Sequence, residues 1–465
     1  MEHIGKRLGD PALPVPAAVL DRAAVKRNCN RMNAAIKAMD VSWRAHIKTH
    51  KTIELTRLQI GDLPARIVVS TLLEAEKVLP LLKEYKAEGR EVNMLYGFPI
   101  YSSAVPRLAA VARTLGGGCV SVIVDHPGQV EVAQKVAAEA GVKINVFVKI
   151  DMGTHRAGVI LGTDHCTTLL KTLHAATSAG DASLSWYGLY CHAGHSYDAR
   201  EPWAAMTHLV SEFAALSDAA KAVQEVRGGE PQKLILSVGA SPTAATLQHP
   251  GLTSESESTE TVARLQAELS GLKSKGYELE VHAGVQPVLD LQQLATHSWA
   301  PEPGQAATED IALTVLADVA SIYPGGGDRG VSDEVLINVG CLGLSRETVK
   351  DVPVGAPVYT GLGIVKPWAE GQEDVIAIPG DDFPRLPAAD GKKGWWQVNR
   401  VSQEHGILTW AGPAPAPTPE LGQRLQIWSN HACITSACYS YFLVVDRSSD
   451  KPDEIIEVWE RWNQW

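Results

Sequence analysis

The stretch SVIVDHPGQVEVAQKVAAEAGVKINVFVKID (121–151) decides the fold. Its ends, 121–125 and 145–151, are short runs rich in valine and isoleucine, the composition of strands. Between them Pro127 opens a helical pattern, Val130, Val132 and Val136 supply its apolar positions, and Gly141 closes it. Strand, helix and strand joined by short turns is the unit that connects parallel strands, because a parallel pair needs a crossover. The same alternation extends in both directions. It predicts strands at 41–48, 67–71, 93–97, 186–191, 234–238 and 279–282, and helices at 73–88, 103–115, 163–179, 199–226 and 257–275. Eight strands alternating with helices predict a (β/α)8 barrel of the TIM type, with an open doubly wound sheet as the alternative.

After residue 310 the grammar changes. IALTVLADVASIYP (311–324), DEVLINVGCLGL (333–344), APVYTGLG (356–363), DVIAIPG (374–380), WWQVNRVS (395–402) and LTWAG (408–412) are short runs between Gly- and Pro-rich turns. That spacing predicts an antiparallel β domain. Seven of the twelve tryptophans follow residue 390, so this region packs by a different plan from the alanine-rich first half. The boundary is placed within APEPGQAATED (300–310). The predicted division is an N-terminal segment at 1–20 packing on the β domain, a barrel at 21–305 and a C-terminal β domain at 306–465. GPAPAPTPE (412–420) reads as a stiff surface loop inside the β domain.

Composition narrows the function. The 42 basic and 53 acidic side chains give a net charge of −11, which excludes the basic footprint of non-specific nucleic-acid binding. No apolar run approaches the roughly 18 residues of a membrane span, and MEHIGKRLGDPALPVPAAVL (1–20) has no apolar signal core. Seven scattered cysteines without a CxxC pair suit a reducing compartment. A soluble, cytoplasmic enzyme is the expectation.

In a barrel, reactive groups stand at the C-terminal ends of the strands. The first predicted strand ends in RAHIKTHK (44–51), where Arg44, His46 and Lys48 alternate onto one face. The fifth ends in Lys149 and Asp151, followed by His155 and Arg156; the sixth ends in Tyr190 and His192, followed by His195 and Tyr197; the eighth ends in Glu280 and His282. Burying so many cationic groups in one mouth is costly unless something anionic binds there. In SVGASPTA (237–244), Ser241 reads as a helix N-cap and Pro242 as the first helical residue, a start that binds phosphate or is simply an ordinary capped helix. Lys48, near Arg44, His50 and Lys51, is expected to have its charged form disfavoured, and a neutral amine is what Schiff-base chemistry needs. A lysine snorkelling at a strand end is the plainer alternative. Phosphate site and Schiff-base lysine together point to pyridoxal phosphate. In WSNHACIT (428–435), His431 and Cys433 lie two apart on a predicted strand and share a face, a pairing that suits zinc or is simply a buried histidine and cysteine. Cys438 falls on the opposite parity and reads as packing.

At these residues the chain resembles the eukaryotic, fungal-type D-serine dehydratases (D-serine ammonia-lyases). These are fold-type III pyridoxal-phosphate enzymes related to alanine racemase and D-threonine aldolase. The marks are RAHIKTHK (44–51), TLLEAE (71–76), LYGFPI (95–100), KIDMGTHRAGV (149–159), GLYCHAGHSYD (188–198), SVGASPT (237–243), EVHAGV (280–285), NVGCLGLSRE (338–347), VSQEHG (401–406) and NHAC (430–433). RAHIKTHK and NHAC at their separation are the specific pair; KIDMGTHRAG is shared more widely across the fold. The resemblance implies that Lys48 is the Schiff-base lysine, that Arg156 approaches the cofactor's phenolic oxygen, and that His192 stands beside the ring. It implies further that Gly239, Ser241, Thr243, Gly284 and Val285 hold the phosphate, that His282 lines the site, and that His431 and Cys433 bind zinc. Either Tyr190 or Tyr197 approaches the cofactor. The family commonly carries an aromatic residue after HAG, whereas Gln286 and Pro287 follow here.

The implied reaction is α,β-elimination of water from a β-hydroxy D-amino acid, best fitted by D-serine, with D-threonine a further candidate. Lys48 removes the α-proton, and zinc assists departure of the hydroxyl. A metal-dependent D-threonine aldolase is the nearest alternative, although its metal pair usually carries a carboxylate where Cys433 stands here. A non-catalytic pyridoxal-phosphate carrier is another, against which the β domain argues. The resemblance also implies a homodimer.

Overall fold

The computed structural model of the chain describes residues 2–180, 182–201, 203–230, 233–252, 259–299, 305–326, 333–349, 358–372, 374–387, 392–413 and 415–465. The first residues of the predicted helix 257–275, positions 300–304 of the predicted boundary and the start of APVYTGLG lie outside them. The chain forms two compact units: Cys29–Gly284 with Gln464–Trp465, and Met1–Asn28 with Val285–Asn463. Among the described residues no helix is long and apolar enough to cross a membrane.

In the first unit, eight parallel strands close into a barrel: β2 (Ser42–His46), β3 (Ala65–Val69), β4 (Val92–Pro99), β5 (Val120–Val124), β6 (Ile144–Lys149), β7 (Leu184–Tyr190), β8 (Ile235–Val238) and β9 (Glu278–Ala283). Every strand predicted for the barrel is present, and closure by the β2–β9 pair excludes the open sheet. The deciding stretch folds as read: Gly128–Ala140 is helical, and Gly141 ends it in the left-handed conformation at φ 70°. The single helix predicted at 73–88 is two, Leu72–Lys77 and Leu79–Ala87. Pro80 at the start of the second has no N–H to continue the first.

Inside the barrel, Val68, Leu95, Ile123, Phe147, Tyr190 and Ile235 form one apolar cluster. Gly188 gives Phe147 its room, since a Cβ there would lie 2.6 Å from the Phe147 ring. Arg44 and Glu280, expected at the reactive mouth, serve the barrel's floor instead. Arg44 is fully buried, donating to Glu280 Oε1 (2.6 Å) and Asn93 Oδ1 (2.8 Å), while Arg66 also reaches Glu280 (3.3 Å). A buried carboxylate between two guanidiniums is neutralised in place, so neither arginine is left to call for an anion.

The second unit is a nine-stranded sheet built from β1 (Ala17–Asp21), β10 (Leu313–Tyr323), β11 (Glu334–Ile337), β12 (Gly363–Val365), β13 (Trp395–Val401), β14 (Gly406–Ala411), β15 (Arg424–Ser429), β16 (Tyr441–Val445) and β17 (Glu457–Glu460). Its order is β11-β14-β13-β12-β15-β10-β1-β16-β17, and an extra β10–β11 pairing curls six strands into a ring. The sheet is antiparallel apart from β1, which runs parallel to β16. Every residue of β1 is buried, and it stands outside the strand–helix alternation that marks the barrel strands. The N-terminal segment packs here too: Leu8, Leu13, Ala17 and Val19 share a core with Leu316, Leu443, Val445 and Ile455. The tryptophan-rich end secures the proline-rich loop, for Trp396 donates to the Pro417 carbonyl and Trp410 to that of Pro413, both at 2.8 Å.

The compact sheet unit begins at Val285, earlier than the 305/306 division read from the sequence, and includes the first 28 residues. Backbone bonds account for it: Ala312 N–H donates to Val288 O (2.8 Å) and Gln292 N–H to Asn430 O (3.0 Å). The Asn28 amide adds bonds to the carbonyls of Pro287 (3.0 Å) and Asp310 (2.8 Å).

Candidate active site

The C-terminal ends of the barrel strands bring together most of the residues read as reactive. His46 ends β2, and Lys48 follows in the turn, half-buried. Burial and then the Lys48 charge hold His46 well below the usual histidine range. The same two causes, with Arg156, push His192 down to about 3. Lys48 therefore stands within electrostatic reach of two neutral imidazoles. His192 Nδ1 lies 2.7 Å from the Gly239 carbonyl, which can only accept, so Nδ1 carries the proton and Nε2 is left as an acceptor.

Tyr190, the last residue of β7, stacks on His282 with ring centroids 4.1 Å apart and planes 9° from parallel. His282 Nδ1 meets Ser237 Oγ at 3.1 Å, and its Nε2 is buried without a hydrogen-bond partner among the described residues. Lys149 Nζ lies 4.8 Å from the Tyr190 ring centroid. Burial, then the Arg156 charge, push Lys149 down to about 8. Arg156 is exposed on the loop after β6, and its charge also acts on Tyr190. Tyr197 lies in the short turn Gly194–Asp198.

The predicted phosphate loop follows β8. Its short helix is Ser241–Ala245, and the N-cap is Ala240 rather than Ser241. The cap moves because Thr243 Oγ1 accepts the Ala240 N–H at 2.8 Å, leaving Ser241 and Pro242 as the first helical residues. Gly239 has φ +143°, and a Cβ there would lie 2.1 Å from the His282 carbonyl oxygen. Gly284 approaches the His46 carbonyl, with a Cβ position 3.1 Å from it. Val285, the next residue, is buried and opens the second compact unit.

One group escaped the sequence reading. Glu212, buried in helix Ala204–Val226, accepts the N–H groups of Ala193 (2.8 Å) and Gly239 (3.2 Å) through one oxygen. It ties the end of β7 to the end of β8. Burial pushes its carboxyl up to about 7, against those hydrogen bonds and Thr243. A glutamate in an alanine-rich helix looks like a solvated position, and its signal was a place among apolar neighbours.

Pyridoxal phosphate fits this donor set. Lys48, Lys149 and Arg156 repel one another across a mouth whose three histidines are held neutral, and an anion relieves that repulsion. The unpartnered His282 Nε2 and His46 Nδ1 are further polar groups for a ligand to meet.

In the other unit, His431 and Cys433 do not share a strand. β15 ends at Ser429, His431 caps helix Ala432–Ala437, and Cys433 lies in its first turn. They still meet, because a cap and the first turn place neighbouring side chains together. Burial opposes charge on His431, but the hydrogen-bonded Cys433 thiol, with Asp290 and Glu347, pushes it up to about 9. Glu347 Oε2 lies 3.5 Å from His431 Nδ1.

Buried groups hold this corner in place. Asp290 accepts the Ala432 and Gln293 N–H groups, each at 2.8 Å, and Asn430 bonds Tyr359 Oη (2.9 Å) and the Gly361 carbonyl (2.8 Å). Imidazole and thiolate beside carboxylates are a donor set that fits zinc. Among the described residues no group of three such side chains is gathered, so water or substrate would complete the coordination.

The family "Alanine racemase, N-terminal domain" matches residues 20–258, and "Putative serine dehydratase domain" matches 312–445. The D-serine dehydratase of Schizosaccharomyces pombe is 34% identical over 469 aligned positions, covering all of this chain and 94% of that enzyme. Two solved structures of D-threo-3-hydroxyaspartate dehydratase variants are each 26% identical with TM-scores of 0.68. One is a cysteine-to-alanine variant in a metal-free form, covering 99% of this chain and 100% of that one. The other is a histidine-to-alanine variant, covering 99% and 97%. With an alanine racemase-like barrel, a serine dehydratase domain and near-complete alignment to a curated relative, this chain belongs to the D-serine dehydratase family.

Proposed function

We propose that the chain is a carbon–nitrogen lyase, a D-serine ammonia-lyase that converts D-serine to pyruvate and ammonia with pyridoxal phosphate and zinc. The observation that carries the reading is the end-to-end similarity to a D-serine dehydratase, which includes both the lysine-bearing barrel and the His431–Cys433 domain. The two dehydratase variants support the metal. Their altered histidine and cysteine are two positions apart, the spacing of His431 and Cys433, and the cysteine variant is described in a metal-free form.

When bound, the cofactor would store the charge left on the substrate's α-carbon and zinc would make the hydroxyl a better leaving group. The chain's residues do the rest. Lys48 anchors the cofactor and then carries the α-proton, a task suited to an amine flanked by the neutral rings of His46 and His192. Arg156, Tyr190, His192 and His282 border the ring, and Gly239, Ser241, Thr243, Gly284 and Val285 are the phosphate set, with Thr243 acting through the loop it caps. His431 and Cys433 hold the metal, while Asp290 and Asn430 keep them in register. A cytoplasmic homodimer is part of the proposal.

Product analysis tests it. Incubation of the purified protein with D-serine is expected to yield pyruvate and ammonia in equal amounts. Glycine and an aldehyde from a β-hydroxy D-amino acid would make it an aldolase and overturn the reading.

A further inference from the structure

The sheet-bearing unit contains a cavity of about 410 Å³ whose charged lining is Arg27, Lys366 and Arg447 against Asp21 and the exposed Glu309, with Trp428 beside them. Small-molecule sites occupy roughly 300–1,000 Å³, so the space is of ligand size. Its charges are unevenly matched. Arg27 is paired with Asp310 at 3.3 Å. Asp21, the buried carboxylate, has Oδ1 occupied by the N–H groups of Ala23 (3.1 Å) and Arg447 (3.2 Å). Among the described residues the Arg447 guanidinium donates to the neutral Gln426 amide alone, at 2.6 Å. Lys366 Nζ lies 5.3 Å from the Trp428 ring centroid. Among the described residues neither Lys366 nor Arg447 has a carboxylate within ion-pair distance.

Burial and then the Arg447 charge push Lys366 down to about 7 against the Asp21 carboxylate, which also acts on Arg447, so one buried carboxylate faces two cations that repel each other. Trp428 is a buried wall of the cavity, and Pro367 and Ile378 complete its apolar side. Two half-buried cations beside an aromatic wall are what a small molecule with one charged end and an apolar body requires.

We propose that this cavity binds a small organic anion, a carboxylate or a phosphate monoester, with its charge met by Lys366 and Arg447 and its apolar part against Trp428.

The test titrates the holoenzyme calorimetrically with pyruvate, for a carboxylate, and with glycerol 3-phosphate, for a phosphate monoester. The same titrations are run on Lys366→Met and Trp428→Phe, with circular dichroism to check folding. One probe is expected to bind saturably, and Lys366→Met to weaken it by at least about tenfold. Trp428→Phe should weaken it several-fold, and serves alone if Lys366→Met fails to fold. The probe that binds identifies the charged group. Absence of saturable binding by either probe, or identical titrations of the parent and both variants, would overturn the proposal. So would dissociation of subunits by Lys366→Met with probe binding unchanged, which would assign these cations to a subunit contact.

Discussion

The barrel mouth and the His431–Cys433 corner both bury histidine among charged groups, yet they treat it in opposite ways. Burial and the charges of Lys48 and Arg156 hold His192 neutral down to about pH 3. At the corner, Cys433, Asp290 and Glu347 keep His431 protonated up to about 9. Burial opposes the charge of both rings; what differs is the neighbours, lysine and arginine beside His192 and a cysteine with two carboxylates beside His431.

Lys48→Ala is the harshest test of the barrel side. Turnover of D-serine is expected to fall by at least about 10³-fold, the range of a lost proton-transfer group, and the absorbance of cofactor bound through a lysine should vanish. Retention of that absorbance would move the anchor elsewhere, with Lys149 next in line.

Cys433→Ala separates the two regions. Metal content and turnover should each fall by more than about a hundredfold, exceeding the 10–100-fold typical of an outer-sphere change, while cofactor absorbance is unchanged. Loss of cofactor together with metal would contradict the division of labour.

Glu280→Gln addresses the barrel floor, where carboxylate and guanidinium are both fully buried. Breaking such a pair costs about 3–5 kcal/mol, so thermal unfolding should shift down by many degrees. A loss of cofactor affinity without a loss of stability would return Arg44 to the ligand site.

His192→Gln gives the clearest sign. Its folded-state value lies below the usual histidine value of 6.5, so the neutral ring favours the fold above that pH, and the contribution is lost as pH falls from about 6.5 towards 3. Up to about 1.4 kcal/mol per pH unit is at stake. Denaturant melts across that window should show a shallower acid limb in the variant than in the parent.

How much of this was legible in the sequence follows from where each signal lives. The barrel strands alternate with helices and announce themselves by local pattern, as 121–151 does. β1 does not, because it belongs to the sheet of the other unit and stands outside that alternation. Lys48, His192 and Gly239 carry motif and position together. Arg44 and Glu280 have the right parity and chain location for a reactive mouth, but what neutralises them is a partner 236 positions away in sequence. Glu212 and Asp290 were invisible for the converse reason. Each acts by accepting backbone N–H groups from distant loops, a role written in the fold and not in neighbouring residues. The His431–Cys433 pairing was read correctly as proximity from the wrong element, since two residues apart meet at a helix cap as well as on a strand.

The central claim is that both regions are needed for one elimination. The most direct measurement is pyruvate release from D-serine by the holoenzyme before chelation, after chelation, and after zinc is restored, with cofactor absorbance followed throughout. Chelation is expected to abolish pyruvate formation while the absorbance persists, and zinc to restore it. Undiminished pyruvate release from metal-free protein would contradict the claim.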